Sequence, residues 1–309
     1  MFNILRRRYL FFGISLLIIL PGLLIAVFKG LGLSVDFTGG TLVEMQFESG
    51  DPPQPAAVIE VYTRLGVTDV QVQTTGQNTL VARSTFLDDA TRKEVLEALE
   101  SEFDQAITVL RFESVGPIIG REVAIRAAIA IAVAALVVVL YITLAFRGIP
   151  HASRYGICAI LAMIHDVAIV VSLAAIGSLF WGWQVNALFL TALLTVIGFS
   201  VQDKIVVFDR IRENTTVYRR LPFETLVNHS IVQTLQRSIN TQLMTVEFML
   251  LALALFGGIT LREFAVVLLV GLFSGTYSSI FIAAPVLVVW ENREWRNWFG
   301  GKNSTQAPA

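Results

Sequence analysis

The sequence predicts a membrane-embedded bundle of six transmembrane helices with one α+β domain outside the bilayer. Of the 309 residues, 55% are hydrophobic and only 15% are charged, and the mean hydropathy is +0.68. That composition is more apolar than the average soluble domain. Apolar runs of roughly 20 residues, long enough to cross a hydrocarbon core of about 30 Å, recur along the chain. One long connection alternates between apolar and polar residues instead, as strands do.

The apolar runs account for the predicted helices. They occupy residues 9–28, 123–146, 155–180, 185–208, 234–256 and 264–290. The first run follows "NILRRRYL" and exceeds the apolar part of a typical signal peptide, and no clear small-residue cleavage site comes after it. We therefore expect it to be a retained signal anchor.

Charge in the short connections predicts the orientation. Three arginines at positions 6–8 place the N-terminus in the cytoplasm by the positive-inside rule, and six spans return the C-terminus to the same side. Connections 147–154 and 209–220, which then face the cytoplasm, are basic, whereas 181–184 and 257–263 carry little positive charge. We expect a multi-pass protein of the cytoplasmic (inner) membrane with both termini in the cytoplasm.

These spans divide the chain into four parts. The predicted parts are a cytoplasmic start and first helix (1–28), an extracytoplasmic domain (29–121), a five-helix bundle (122–290) and a cytoplasmic tail (291–309). The connection of roughly 90 residues is long enough for a small domain.

That connection predicts a ferredoxin-like domain. "TLVEMQF" places Val43, Met45 and Phe47 on one face of a first strand, and "TDVQVQTT", "TLVARS" and "AITVLRFESV" supply three more. "PPQPAAVIEVYTRLG" has proline at its start and glycine at its end, as a short helix does. "DDATRKEVLEALESEF" opens on two aspartates and has one apolar stripe. The order βαββαβ is that of the split βαβ sandwich, which says nothing about function.

Several classes of chemistry find no support in the residues. Cys158 is the single cysteine, the three histidines are scattered, and 23 basic residues balance 24 acidic ones. We therefore expect no disulfide, metal site or nucleic-acid partner. No nucleophile elbow, P-loop or dinucleotide fingerprint occurs, so we expect neither an enzyme nor a cofactor. Gly39 and Gly40 in "DFTGG" are interpreted as a tight backbone between helix and sheet.

Ionisable residues within the spans are the stronger functional signal, because charge in hydrocarbon is costly and lines a polar path or meets a partner. The candidates are His165, Asp166, Asp203, Lys204, Arg237 and Glu247. Arg220 lies midway between Asp203 and Arg237 in the sequence. In an antiparallel helix pair the two would lie at similar depth, and a movement of one helix could switch the affinity of Asp203 for protons.

Each candidate also has a simpler interpretation. Asp203 and Lys204 would be interfacial if Lys204 extended to the lipid headgroups. However, "IVVF" follows Lys204, which places Asp203 about a turn and a half inside the helix end. For Asp166 and Glu247, a structural hydrogen bond to a neighbouring helix is favoured over proton transfer. His165 has no acidic residue at four-residue spacing, so no metal pair is expected.

Six segments together resemble the SecF family of protein-export subunits, within the resistance-nodulation-division (RND) superfamily. They are "GLGLSVDFTGGTLVEMQF", "VGPIIGREV", "MIHDVAIV", "ALLTVIGFSVQDKIVVFDRIRENTT", "QTLQRSINT" and "GTYSSIFIAAPVLV". The family-motif positions of interest are Asp36, Gly39, Gly40, His165, Gln202 and Lys204. The chain departs from the family pattern with Gln202 in place of asparagine, Lys204 in place of a small hydroxyl residue and a charged Glu247.

The resemblance implies a membrane subunit that pairs with SecD and assists the SecYEG channel. Driven by the proton motive force, the pair would pull or retain exported unfolded polypeptides after SecA has pushed them across. By motif match, Asp203 and Arg237 are the proton-relay residues, and Asp166 is a third candidate. Lys204 is expected to stabilise the charged form of Asp203.

Two alternatives remain open at this stage. An RND-type exporter of lipids or small molecules would need a second soluble domain and twice as many spans. A purely structural subunit of the translocase would carry no protons. The coupling ion, proton or another cation such as sodium, also stays open.

Overall fold

The structure, a computed structural model, describes residues 3–48, 52–74, 78–145, 147, 152–241, 248–257 and 259–294. The chain forms two units. The helical unit comprises Met1–Gly32 and Ile131–Ala309, and the α+β unit comprises Leu33–Ala130.

The α+β unit is inserted between the first helix and the later helices of the helical unit, and the helix Pro117–Ala145 belongs partly to each unit. In chain order they are α1 (Arg8–Lys29), α2 (Val35–Thr38), β1 (Gly40–Phe47), α3 (Pro55–Arg64), β2 (Gln71–Thr74), β3 (Thr79–Ser84), α4 (Asp89–Phe103), β4 (Ile107–Val115), α5 (Pro117–Ala145), α6 (Ala152–Trp181), α7 (Ala187–Val217), α8 (Phe223–Ile239), α9 (Phe248–Phe256), α10 (Ile259–Ser278) and α11 (Ala284–Glu291). A 3-10 turn, Leu5–Arg7, precedes α1, and a π-helical segment, Ser279–Ala283, joins α10 to α11.

Within the described residues, five helical segments are long and apolar enough to cross a membrane. They are Leu5–Lys29, Pro117–Ala145, Ser153–Trp181, Ala187–Val217 and Leu261–Glu291. The remaining predicted span, 234–256, includes residues outside the described ranges, so the count of six spans stays a prediction.

Helix α7 extends well beyond the predicted end at residue 208. Its N-terminus is capped by Asn186, whose side-chain oxygen accepts a hydrogen bond from the Phe189 amide at 2.8 Å. At the other end the polar sequence "DRIRENTTV" continues the helix, with ion pairs between residues three positions apart. An apolar run marks the membrane part of a helix, and the helix itself can continue in polar sequence.

Small residues bring α7 and α10 close together. A Cβ added to Gly275 would lie 3.3 Å from the Ser200 Cα, and one added to Gly271 would lie 2.3 Å from a methyl of Val196. Helices in membranes use such residues to let their backbones approach. The approach brings the hydroxyls of α10 next to the polar face of α7.

The α+β unit contains a four-stranded antiparallel sheet with strand order β2-β3-β1-β4. Val43 pairs with Ala82 and Met45 with Leu80 across β1 and β3. Helices α3 and α4 pack on one face of the sheet around the buried side chains of Val43, Met45, Phe47, Val58, Val61, Tyr62, Leu80, Val95 and Leu99. Alternation along the strands therefore directs one face of the sheet to this core.

The N-terminus of α4 is capped by the side chain of the residue that precedes it. The side-chain oxygen of Asp88 accepts a hydrogen bond from the Thr91 amide at 2.8 Å. Hydrogen bonds from Thr91 lower the pKa of the Asp88 carboxyl. An ionised N-cap of this kind satisfies an otherwise unpaired amide of the first turn.

Gly39 and Gly40 form the junction between α2 and β1. Gly39 has φ +73° and Gly40 has φ +120°, and both values favour glycine. A Cβ on Gly39 would lie 2.6 Å from the Pro117 Cα, and a Cβ on Gly40 would lie 2.6 Å from the Ser84 carbonyl oxygen. Asp36 lies on α2 and is half-buried. In this unit the pair of glycines combines positive φ with close backbone contacts.

Replacing Gly40 with alanine is expected to destabilise this junction. The new methyl group would meet the Ser84 carbonyl in a disfavoured backbone region, so we expect a cost on the order of 1–3 kcal/mol. Limited proteolysis of the purified chain checks this through faster cleavage within residues 33–130. Gly116→Ala is the matched control because a Cβ there meets nothing within 4 Å, and equal cleavage of the two variants would contradict the expectation.

Candidate functional site

One group of buried polar residues in the helical unit lies where α6, α7 and α10 meet. Ser200, Asp203 and Lys204 lie three and four positions apart on the buried face of α7. Ser274 and Ser278 repeat that spacing on α10, and Asp166 faces them from α6. The periodicity of the helices therefore concentrates hydroxyl and charged groups inside an apolar bundle.

Asp166 is the centre of a saturated hydrogen-bond cluster. Its Oδ2 accepts hydrogen bonds from the Ser200 hydroxyl at 2.6 Å, the Lys204 ammonium at 2.7 Å and the Ser278 hydroxyl at 2.7 Å. Its Oδ1 accepts one from the Ser274 hydroxyl at 2.7 Å and faces Nδ1 of His165 at 3.0 Å. An ionised carboxylate accepts hydrogen bonds and donates none, and here both of its oxygens face donors. The geometry is that of a structural anion.

Lys204 is the cation of this cluster. Both Lys204 and Asp166 are 0% exposed. The ammonium also donates to the Ser200 carbonyl oxygen at 3.2 Å and contacts the Ser200 hydroxyl. The interfacial interpretation, in which Lys204 extends to the headgroups, is therefore wrong, because a buried carboxylate on α6 neutralises the ammonium inside the bundle.

Asp203 is buried without comparable partners. The residue is 7% exposed, and the Ser279 hydroxyl donates to its Oδ2 at 3.5 Å. The hydroxyls of Ser238 and Thr276 also lie near the carboxyl group, but Ser238 Oγ makes no hydrogen bond of normal geometry. Among the described residues Asp203 has no ion-pair partner. It differs from Asp166 in this respect, although the two lie in the same bundle.

The expected pair between Asp203 and Arg237 is not formed in the described part of the chain. Arg237 is exposed, whereas Ser238, the next residue of α8, is buried. Consecutive helical residues point about 100° apart, so α8 turns a serine rather than an arginine towards the bundle. The rotation of a helix about its axis cannot be predicted from the position of one residue in the sequence.

His165 and Gln202 occupy different environments. The His165 ring stacks on Tyr277 with centroids 6.2 Å apart, and its buried Nε2 has no hydrogen-bond partner among the described residues. Gln202 lies on the exposed side of α7. No group of three His, Cys, Asp or Glu side chains that could hold a metal ion occurs in the described ranges. Glu247 lies outside them.

The sequence interpretation missed the serines. Ser200, Ser274 and Ser278 supply the hydroxyl donors of the cluster, but their side chains carry no charge that would distinguish them in an apolar run. The four-residue spacing of Ser274 and Ser278 within an apolar run is the signal that could have indicated a polar face.

Comparison with known families and relatives identifies similar proteins over most of the chain. Residues 95–293 match the family model "Protein export membrane protein SecD/SecF, C-terminal", and residues 25–51 match "SecD/SecF GG Motif". The chain is 67% identical to "Protein translocase subunit SecF" of Anaerolinea thermophila and 47% identical to the SecF of Thermobaculum terrenum. In both cases the match covers 97% of each chain.

A solved structure shows the same fold in a longer protein. The crystal structure of SecDF, a translocon-associated membrane protein from Thermus thermophilus, matches with a TM-score of 0.81 and 35% identity. The match covers 94% of this chain and 39% of the SecDF chain. The chain thus spans about two fifths of the length of that relative.

Proposed function

Because the chain belongs to the SecF family of protein-export membrane proteins, we propose that it is the SecF half of a SecDF unit that uses proton movement to assist export. As a translocase subunit it has a role in transport. The coupling to protons rests on one observation: Asp203 is a buried carboxyl group without an ion-pair partner in the described residues.

The two buried aspartates have different proposed roles. A buried carboxyl group without a cation is expected to take up a proton, because an isolated charge in an apolar interior is too costly. Asp166 already has a cation and a full set of donors. Protonating its carboxylate would therefore break several hydrogen bonds at once. We assign proton transfer to Asp203 and a structural role to Asp166.

Arg237 enters the proposed relay through movement of α8. Its side chain lies on the exposed face of the helix, so it would reach Asp203 only when α8 rotates. Shifts and rotations of helices at their contacts are among the known switching motions of proteins. The π-helical segment Ser279–Ala283, which carries Ser279 next to Asp203, is the neighbouring irregularity that such a rotation would involve.

The proposed topology places residues 3–8 and the ends of the bundle on the cytoplasmic side. The Arg8 guanidinium forms ion pairs with Glu224 at 2.9 Å and Glu294 at 2.7 Å. These contacts hold the start of α1, the start of α8 and the residues after α11 at one face of the helical unit, as cytoplasmic placement of both termini requires.

We propose six spans, with the α+β unit as a ferredoxin-like extracytoplasmic domain that contacts exported polypeptides. The strand order β2-β3-β1-β4 supports that fold.

SecD is the proposed partner, together with the SecYEG channel and SecA. The match to only 39% of a SecDF chain supports a second protein that completes the unit. The most apolar parts of the segments Leu5–Lys29 and Pro117–Ala145 are mostly exposed, with 17% and 6% of their residues buried. Exposed apolar surface of this kind supports contact with the lipid bilayer and with other helices.

Purification in a mild detergent tests the partnership. We expect SecD to accompany the tagged chain in equal amount, because the two form one unit in the longer relative. Quantitative mass spectrometry of the eluate measures the ratio. The same cells carrying an unrelated tagged membrane protein provide the control. Recovery of the folded chain without SecD would contradict the proposal.

A further inference from the structure

The polar cluster around Asp166 has the composition of a cation site. We propose that the Asp166 cluster, defined as Asp166, Ser200, Ser274 and Ser278, is a monovalent-cation site whose cation is the ammonium group of Lys204. In this view the lysine is a tethered ion that keeps alkali cations out of the bundle.

Oxygen atoms make up most of the site. Asp166 contributes two carboxylate oxygens, the three serines contribute hydroxyls, and Ser200 also contributes its carbonyl. Hard cations without directional bonding prefer such sets of carboxylate, hydroxyl and carbonyl oxygens. The ligands come from α6, α7 and α10, so a cation at their centre would hold three helices together.

Charge balance specifies a single positive charge. The serines are neutral, so the net charge of the cluster is the single negative charge of the Asp166 carboxylate. One monovalent cation balances it. Lys204 supplies it at 2.7 Å from Oδ2, and its ammonium uses the remaining donors on the Ser200 carbonyl and hydroxyl. His165 touches the cluster through Nδ1, and Asp203 lies next to Lys204 in sequence but makes no ion pair with it in the described structure.

An ordinary structural ion pair would also place Lys204 next to Asp166. The two interpretations differ in what happens when the ammonium is removed. A structural pair leaves a charge that must be protonated, whereas a cation site accepts an alkali ion in place of the ammonium. This inference depends on the cluster alone and does not require Asp203 to carry protons.

The test removes the Lys204 ammonium by substitution and supplies free alkali cations in its place. The purified full-length chain and its Lys204→Ala variant are unfolded by heat in sodium, potassium or choline chloride at equal ionic strength. We expect the parent protein to have the same Tm in all three salts. Lys204→Ala should be stabilised by sodium or potassium in a saturable way, and at a concentration of 100 times Kd its unfolding constant should fall about a hundredfold.

Two matched variants isolate the site. Lys204→Met keeps an unbranched side chain in the space and should gain no stability from alkali cations. The double variant Asp166→Asn/Lys204→Ala lacks the negative charge and should also be indifferent to them. Radioactive sodium binding to the three variants, measured by equilibrium dialysis, provides a second readout.

Three outcomes would overturn the inference. Sodium could stabilise the parent protein as much as Lys204→Ala, which would mean that the lysine does not occupy the site. Lys204→Ala could be folded and equally stable in all three salts. It could also fail to accumulate in cells, where both alkali cations are available to replace the ammonium. None of these measurements involves export, so they are independent of the proposed proton relay.

Discussion

Replacing Asp203 with asparagine is expected to reduce the proton-dependent part of protein export to the level of vesicles that lack the SecDF unit. Asparagine retains the size of the side chain and its capacity to accept the Ser279 hydrogen bond, but it cannot bind and release a proton. Export of a reporter protein into inverted membrane vesicles, with and without a proton gradient, measures the effect. Undiminished gradient-dependent export would remove Asp203 from the relay.

Two variants control this experiment. Asp203→Glu keeps a titratable carboxyl group and should retain part of the gradient-dependent export. Asp209→Asn removes a carboxylate from the same helix at an exposed position and should leave export unchanged. A loss in Asp209→Asn equal to that in Asp203→Asn would indicate a general effect of charge on α7.

Replacing Lys204 with methionine is expected to destabilise the helical unit by about 3–5 kcal/mol, because it leaves the fully buried carboxylate of Asp166 without its counter-ion. Unfolding in mixed detergent followed by tryptophan fluorescence measures the loss. The double variant Asp166→Asn/Lys204→Met should recover most of it, because a buried pair replaced on both sides leaves no uncompensated charge.

A double-mutant cycle separates the pair from its surroundings. Lys29→Met is the matched control, since Lys29 is an exposed lysine at the end of α1, and it should change stability little. If the single Lys204 variant were as stable as the parent protein, or if the double variant were the least stable of the set, the ion pair would not have the structural role assigned to it.

The strands and long helices could be predicted because their signals are local. Alternation placed Val43, Met45 and Phe47 on the face of β1 that lies in the core, and apolar runs located the segments that became α1, α5, α6, α7 and α10. Helix ends were harder to predict, because α7 continues into polar sequence to Val217. A hydropathy pattern predicts which residues lie in the bilayer. It does not predict how far the backbone hydrogen bonds of the helix continue beyond them.

The site could be predicted only in part, because partner choice depends on tertiary structure. The sequence indicated that Asp166, Asp203 and Lys204 were unusual, but not that Lys204 would turn to Asp166 on another helix. Nor could it give the rotation of α8, which exposes Arg237 and buries Ser238. Ser200, Ser274 and Ser278 resemble ordinary small residues of a membrane helix until the fold brings them to one carboxylate.

Proton flux through the reconstituted SecDF unit tests the central claim, that Asp203 carries protons and Asp166 does not. Proteoliposomes containing a pH-sensitive dye would be given a proton gradient, and the rate of proton entry compared among variants. The account predicts flux in the parent protein and in Asp166→Asn/Lys204→Met, and none above background in Asp203→Asn. Flux that survived in Asp203→Asn, or that disappeared in a folded Asp166→Asn/Lys204→Met protein, would contradict it.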